Sequence, residues 1–236
     1  MPYKNYLQSI SSSRSHIYKI VFRTQTDEET CGAVLWGQAM ASSLQSLVTT
    51  FEVALRNRIH VSLSRQYSVA KGLPATDSYA WYDDLQSSLP LSGKTKEKVE
   101  KILCGDSGVR LATQPHPDRV VSSISFGVWP NILDAQLPTQ TIEELTFKDV
   151  FPYHPKVRQH WRHSSSRKDA VAVVKDVQNW RNRLAHCKPV WSEGWFRSQA
   201  NPNWKFLLMR LNSRKQSILE VLEWICPDTA EIYQKS

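Results

Sequence analysis

Apolar residues recur along this chain at helical spacing, and no run of alternating apolar and polar positions marks a strand. Leu44, Leu47, Val48, Phe51, Leu55, Ile59 and Leu63 follow one another at steps of three and four, a single stripe down one face of a helix. Thr26 and Glu29 have the spacing of a capping box, which starts that helix near Asp27 and lets it run, with room for a break, through Arg65. From Gly72 to Gly93 the pattern lapses into Pro, Gly and Ser, which predicts a loop with some local structure at Trp81 and Tyr82. Ser92 is placed to cap the short charged helix KTKEKVEKIL, which ends at Gly105.

A loop holding Pro115 and Pro117 leads into the apolar segment VVSSISFGVWPNIL, and residues 138–166, rich in Pro, His and aromatics, read as irregular. The pattern predicts a further helix from about Ser166 to His186, stopped because Pro189 disfavours helical geometry at Lys188. A last helix reads from Trp204 to Ile225, closed by Pro227. Long helices without repeats or low-complexity tracts make an all-α fold, one helical bundle with loop insertions.

Charge narrows the class. Thirty Lys and Arg against 22 Asp and Glu give +8, a balance that favours phosphate backbones or anionic surfaces. The basic residues are dispersed, which points to a folded basic surface in place of a basic tail. Four scattered cysteines without C-x-x-C spacing fit neither a disulfide framework nor a zinc site and suit a reducing compartment. The first sixteen residues lack the apolar core of a signal peptide, and no run of about 18 apolar residues is present, so the expectation is a cytoplasmic protein without a membrane role.

Candidate chemistry sits in the helix before Pro189. Its stripe reads Ala170, Val173, Val174, Val177 and Leu184, and the step across the last gap is expected to pass through Arg181, where a core-facing arginine needs a partner or a functional cavity. His186 lies five residues on, about 140° around an ideal helix, so the two converge only if the last turn loosens. Histidine titrates near neutrality, as general acid or base work requires, and arginine can grip two phosphate oxygens at once. Asn182, one turn before His186, is placed to orient the imidazole or touch a substrate. From spacing alone, the polar end of a surface helix fits these residues as well.

The run RNRLAHCKPVW, Arg181 to Trp191, resembles the R-N-x-x-x-H signature of HEPN ribonucleases, especially the Abi-like (abortive infection) branch. FEVALRNRI, Phe51 to Ile59, is similar to that branch's long first-half helix, and SFGVWPNIL, Ser125 to Leu133, to its central aromatic segment. The resemblance runs in order from about Asp27 to Trp191. It implies a HEPN-like bundle as a single domain over 1–236 with its core at about 27–225, dimerisation that brings two R-x4-H motifs together, and RNA cleavage without metal or other cofactor. In that scheme Arg181 stabilises charge on the phosphate, His186 transfers a proton, and the products carry a 2′,3′-cyclic phosphate and a 5′-hydroxyl. A role as a toxin in phage defence goes with it. Where members of that family often read H-H-E-P, this chain has His186, Cys187, Lys188 and Pro189.

Other residues fill supporting roles. Glu52, Arg56 and His60 are spaced four apart on the edge of the first long helix; Glu52 is the acid the resemblance offers as a partner for Arg181, and the plain alternative is a surface Glu–Arg pair. Lys156, Arg158, Arg162, Arg167 and Lys168, with Trp161 among them, form a basic loop suited to single-stranded RNA or simply to solvent. Arg183 and Lys188 join them as RNA contacts. His154, His160 and His163 lack the companions of a metal site, and Gly93-Lys94-Thr95 lacks the earlier glycine and strand of a P-loop. Trp191, Trp195 and Trp204 read as packing. An alternative function is a non-catalytic helical RNA-binding protein within a protein–RNA complex.

Overall fold

A computed structural model describes residues 2–83, 91, 93–135, 139–156, 158–186, 188–189, 191, 198 and 203–235. The protein is all-α: among the described residues there are ten α-helices and no strand. They are α1 (Pro2–Ser9), α2 (Ser12–Phe22), α3 (Asp27–Ala70), α4 (Gly93–Cys104), α5 (Pro117–Ser123), α6 (Val128–Asp134), α7 (Gln140–Val150), α8 (Ser164–Ala185), α9 (Trp204–Ile225) and α10 (Pro227–Gln234).

Helix α3 starts where the capping box places it. The Glu29 N–H donates to Thr26 Oγ1 at 3.1 Å, and Glu29 Oε2 accepts from the Thr26 N–H at 3.3 Å, so two otherwise orphaned donors are satisfied reciprocally. The helix then continues without a break for 44 residues. Its apolar stripe from Leu44 to Leu63 is buried throughout, with Val48, Phe51, Leu55, Ile59 and Leu63 fully so.

Several elements differ from the pattern reading. Helices α1 and α2 precede α3, and α7 occupies part of the stretch expected to be irregular. Thr139 caps α7 by accepting the Ile142 N–H at 3.2 Å, and Thr146, Phe147 and Val150 form its buried face. Pro227 ends α9 and also opens α10, because proline's fixed φ and missing donor suit a first helical turn. Ser92, expected to cap α4, lies outside the described residues.

The structure divides into two compact units, neither contiguous in sequence. The first is Met1–Thr49 with Asn179–Leu219, the second Thr50–Gln178 with Glu220–Ser236. The chain passes from one to the other within α3, α8 and α9, so no linker composition announces the division.

In the first unit an aromatic cage surrounds Trp191. Its ring meets Tyr18 at 5.4 Å and 77°, Phe22 at 6.0 Å and 64°, and Trp36 at 6.5 Å and 43°. Gly37 makes room for this: a Cβ there would lie 2.6 Å from the Tyr18 ring, which burial holds in place. Burial also pushes the Tyr18 hydroxyl up to about 12.

The second unit packs the resembling segments 51–59 and 125–133 together, Phe51 meeting Phe126 edge to face at 6.3 Å. Trp81 lies against Trp129 at 6.2 Å, and both are fully buried. A second aromatic cluster joins Phe147, Phe151 and Trp161, with Phe151 also edge-on to Trp224 at 6.1 Å.

Candidate active site

The buried residues of α8 are Ser166, Ala170, Val171, Val174, Val177, Trp180 and Leu184. The step from Val177 to Leu184 therefore passes through Trp180, three on and four back, and not through Arg181. An aromatic side chain extends the aliphatic stripe, which leaves Arg181 half-exposed beside it with interactions of its own. The core-facing arginine inferred from the pattern is thus corrected: Arg181 lies half-exposed beside the buried stripe and is not part of it.

Asn182 is exposed, and its carbonyl accepts the His186 N–H at 3.1 Å, which completes the last α-helical hydrogen bond. His186 comes next in the turn, exposed, and its carbonyl accepts from Arg14 Nη2 at 3.4 Å. Arg14 on α2 has no motif to mark it and escapes sequence reasoning. Chain geometry thus sets Arg181, Asn182 and His186 at the solvent-facing end of one helix, all within the first unit.

Arg183 anchors the chain beyond this helix. Its Nε and Nη2 donate to the Pro189 carbonyl at 2.9 and 2.6 Å, and Nη2 also donates to the Trp191 carbonyl. The Lys188 N–H returns to the Arg183 carbonyl at 2.9 Å, closing the turn. Burial pushes the Arg183 guanidinium below its ordinary value. The structure therefore gives Arg183 a fastening role: it ties Pro189 and Trp191 to α8, and the Trp191 ring sits in its cage. Lys188 remains exposed.

Charge separates sharply between the units. The first holds twelve Lys and Arg against four Asp and Glu, a surplus of eight; the second holds eighteen of each, and together these make the thirty and 22 of the whole chain. The entire net positive charge thus belongs to the unit that carries Arg181 and His186. Arg210 and Arg214 on α9 belong there too, half-buried, with burial lowering both guanidinium values. The Arg214 guanidinium lies over the Trp180 ring at 5.9 Å.

The other named residues fall in the second unit. Glu52 is half-buried and engaged in interactions, and Arg56 Nε donates to Asn57 Oδ1 at 3.3 Å. The basic residues expected in a loop are partly helical, Arg167 and Lys168 lying at the start of α8: Arg167 pairs with Glu143 at 2.8 Å and donates to the Trp161 carbonyl at 2.6 Å, while Arg162 lies 3.9 Å from Glu144. Lys156 and Lys168 are exposed, and the Arg158 side chain lies outside the described residues. Trp161 is 4 % exposed inside its aromatic cluster, so it cannot serve as an open platform for a base. His154 and His160 stack at 4.9 Å; His154 Nδ1 accepts the Lys156 N–H, and His160 Nδ1 meets Ser166 Oγ at 2.9 Å. Among the described residues no group of three or more His, Cys, Asp or Glu is arranged to hold a metal, and no helix is long and apolar enough to cross a membrane.

His60 is the titratable side chain the pattern placed on a helix edge and the structure buries, at 4 % exposure. Trp81 Nε1, which can only donate, gives its hydrogen to His60 Nδ1 at 2.9 Å. The ring proton is therefore on Nε2, which donates to Asp118 Oδ1 at 3.2 Å. Burial holds His60 below the ordinary 6.5, outweighing the opposing pull of Asp118. The folded state thus takes up its proton later than the unfolded state as pH falls. Its contribution to stability is complete above about pH 6.5 and lost as the pH drops below that value. His60→Gln can keep both hydrogen bonds but cannot titrate. Urea unfolding at neutral and mildly acid pH is expected to show a smaller acid loss in the variant, and an equal loss would remove His60 from the account.

No protein-family model, no curated protein and no solved structure matches this chain.

Proposed function

We propose that the protein is a metal-independent endoribonuclease of HEPN type, acting in the cytoplasm as a homodimer and serving as an abortive-infection toxin in phage defence. The observation that carries this reading is the distribution of charge: the R-x4-H segment lies in the unit that holds the whole positive surplus. Arg181, Asn182 and His186 end a single helix, and the Arg183 tether and the Trp191 cage fix the chain beyond it. Such support from fixed surroundings is what a catalytic group needs.

In the proposed reaction the ribose 2′-oxygen attacks the adjacent phosphorus. A bond from O2′ to phosphorus forms, and the bond from phosphorus to the 5′-oxygen breaks. An imidazole accepts the 2′-hydroxyl proton, and the departing 5′-oxygen receives a proton from an imidazolium. Two copies of His186 in a dimer supply one of each. Arg181 stabilises the charge that gathers on the non-bridging oxygens. No metal is required, because the nucleophile belongs to the substrate.

The test is incubation of the purified protein with mixed RNA in EDTA, followed by end-group analysis. Fragments ending in 2′,3′-cyclic phosphate and beginning with 5′-hydroxyl are expected. A second reading, RNA binding without cleavage, draws on Lys188, which is exposed, stands where the resembled family often carries an acid, and so adds a contact for phosphate. RNA retained intact by the protein, with affinity that falls steeply as salt rises, would favour that reading and sink the nuclease.

A further inference from the structure

Within the second unit a cleft of about 500 Å³ opens between α3 and the chain that leaves α7. Arg58, Val61 and Arg65 line it from α3 at positions i, i+3 and i+7, one face of the helix. Lys148, Asp149, His154 and Lys156 line it from the opposite side. Its apolar wall is Phe151, Pro152 and Trp161.

Four Arg and Lys side chains therefore share one small space with a single carboxylate, in a unit whose charges balance as a whole. Like charges gathered in this way repel one another, and the partners on hand offset only part of it. Arg65 pairs with Asp77, Arg58 Nη2 donates to the Ile225 carbonyl at 3.2 Å, and Asp149 is engaged by Ser62 Oγ at 2.9 Å. Lys148 and Lys156 are both exposed at the mouth of the cleft. The imidazole of His154 presents a donor as well. Its Nδ1 accepts a backbone N–H, which leaves the proton on Nε2, and burial, then the neighbouring His160 and Lys156, hold it below the ordinary value.

The geometry points to a binding site for a phosphorylated small molecule of nucleotide size, with its phosphoryl group among Arg58, Lys148 and Lys156 and its organic part against Phe151 and Pro152. The volume lies within the range of small-molecule pockets. A polymer such as RNA fits less well, since it needs a continuing track of positive charge and this unit has none in surplus. The site uses neither Arg181 nor His186, so it stands whether or not the protein cleaves RNA.

Calorimetric titration of the full chain with a nucleoside 5′-monophosphate and with inorganic phosphate tests it. Saturable binding is expected for both, tighter for the nucleotide. The exposed pair changed together, Lys148→Glu with Lys156→Glu, is expected to weaken nucleotide binding about tenfold or more. The milder Lys148→Gln with Lys156→Gln is expected to fall between, and circular dichroism shows whether each variant is folded. Arg181→Ala and His186→Ala are expected to bind as the wild type does. Absence of saturable binding at millimolar ligand would overturn the assignment, as would equal affinity for the nucleotide and phosphate. It would also fall if the lysine variants lost affinity for an RNA oligonucleotide while the wild type took up no mononucleotide.

Discussion

His186→Ala is expected to lower RNA cleavage about 10²–10⁴-fold while RNA affinity stays close to that of the wild type. In the proposed reaction the imidazole transfers a proton only as bonds to phosphorus change, so its loss would fall on turnover. Its side chain is exposed and its backbone contacts, with Asn182 and Arg14, survive the substitution. The variant should therefore melt like the wild type. Arg181→Ala is expected to be as inactive and to bind RNA more weakly, since a guanidinium attracts the phosphate before and during reaction. Arg181→Lys keeps the charge without the fork and should recover affinity more than rate. Cyclic-phosphate end groups measured on all three, beside melting curves, would decide the matter. Full cleavage by both alanine variants would remove the segment from the chemistry.

Much of the fold can be read from spacing. The stripe from Leu44 to Leu63 is buried as its period requires, the Thr26–Glu29 box opens α3, and α9 keeps the predicted bounds Trp204–Ile225. The misses have physical causes. Helix α7 hides between flanks rich in proline and histidine, although Thr139 stands at the cap and Thr146, Phe147 and Val150 at helical steps. Following only aliphatic residues along α8 puts Arg181 on the stripe, whereas the indole of Trp180 completes it. Pro227 reads as a stop, yet at the first turn of α10 it is also a start.

At the candidate site, the local motif is legible and its surroundings are not. Arg181, Asn182 and His186 can be named because a short spacing on one helix is written in consecutive residues. Arg14 meeting His186 joins positions 172 apart, and nothing in either segment announces the other. Arg183 looks like one more cation for RNA, because sequence gives its charge and withholds the two carbonyls that engage it. The separation of charge between units is hidden for a related reason: each unit is assembled from two distant stretches, so the surplus appears only after the chain is folded.

Trp191→Ala is expected to destabilise the protein by about 3–5 kcal/mol, the usual cost of deleting a large buried aromatic. Trp191 is 2 % exposed and touches three rings, Tyr18, Phe22 and Trp36, none of which can move into the space without leaving its own contacts. The loss should extend past stability. With the ring unseated, Arg183 no longer has the Trp191 carbonyl held for it, and the chain after His186 loosens. Any cleavage activity is then expected to fall even where the variant remains folded. Trp191→Phe supplies the contrast. The indole Nε1 is buried without a hydrogen-bond partner among the described residues, so phenylalanine keeps the apolar contacts and removes an unsatisfied donor. Denaturant unfolding should place Phe close to the wild type and Ala far below it. Equal midpoints for Ala and wild type would mean that the cage does not hold this end of the chain.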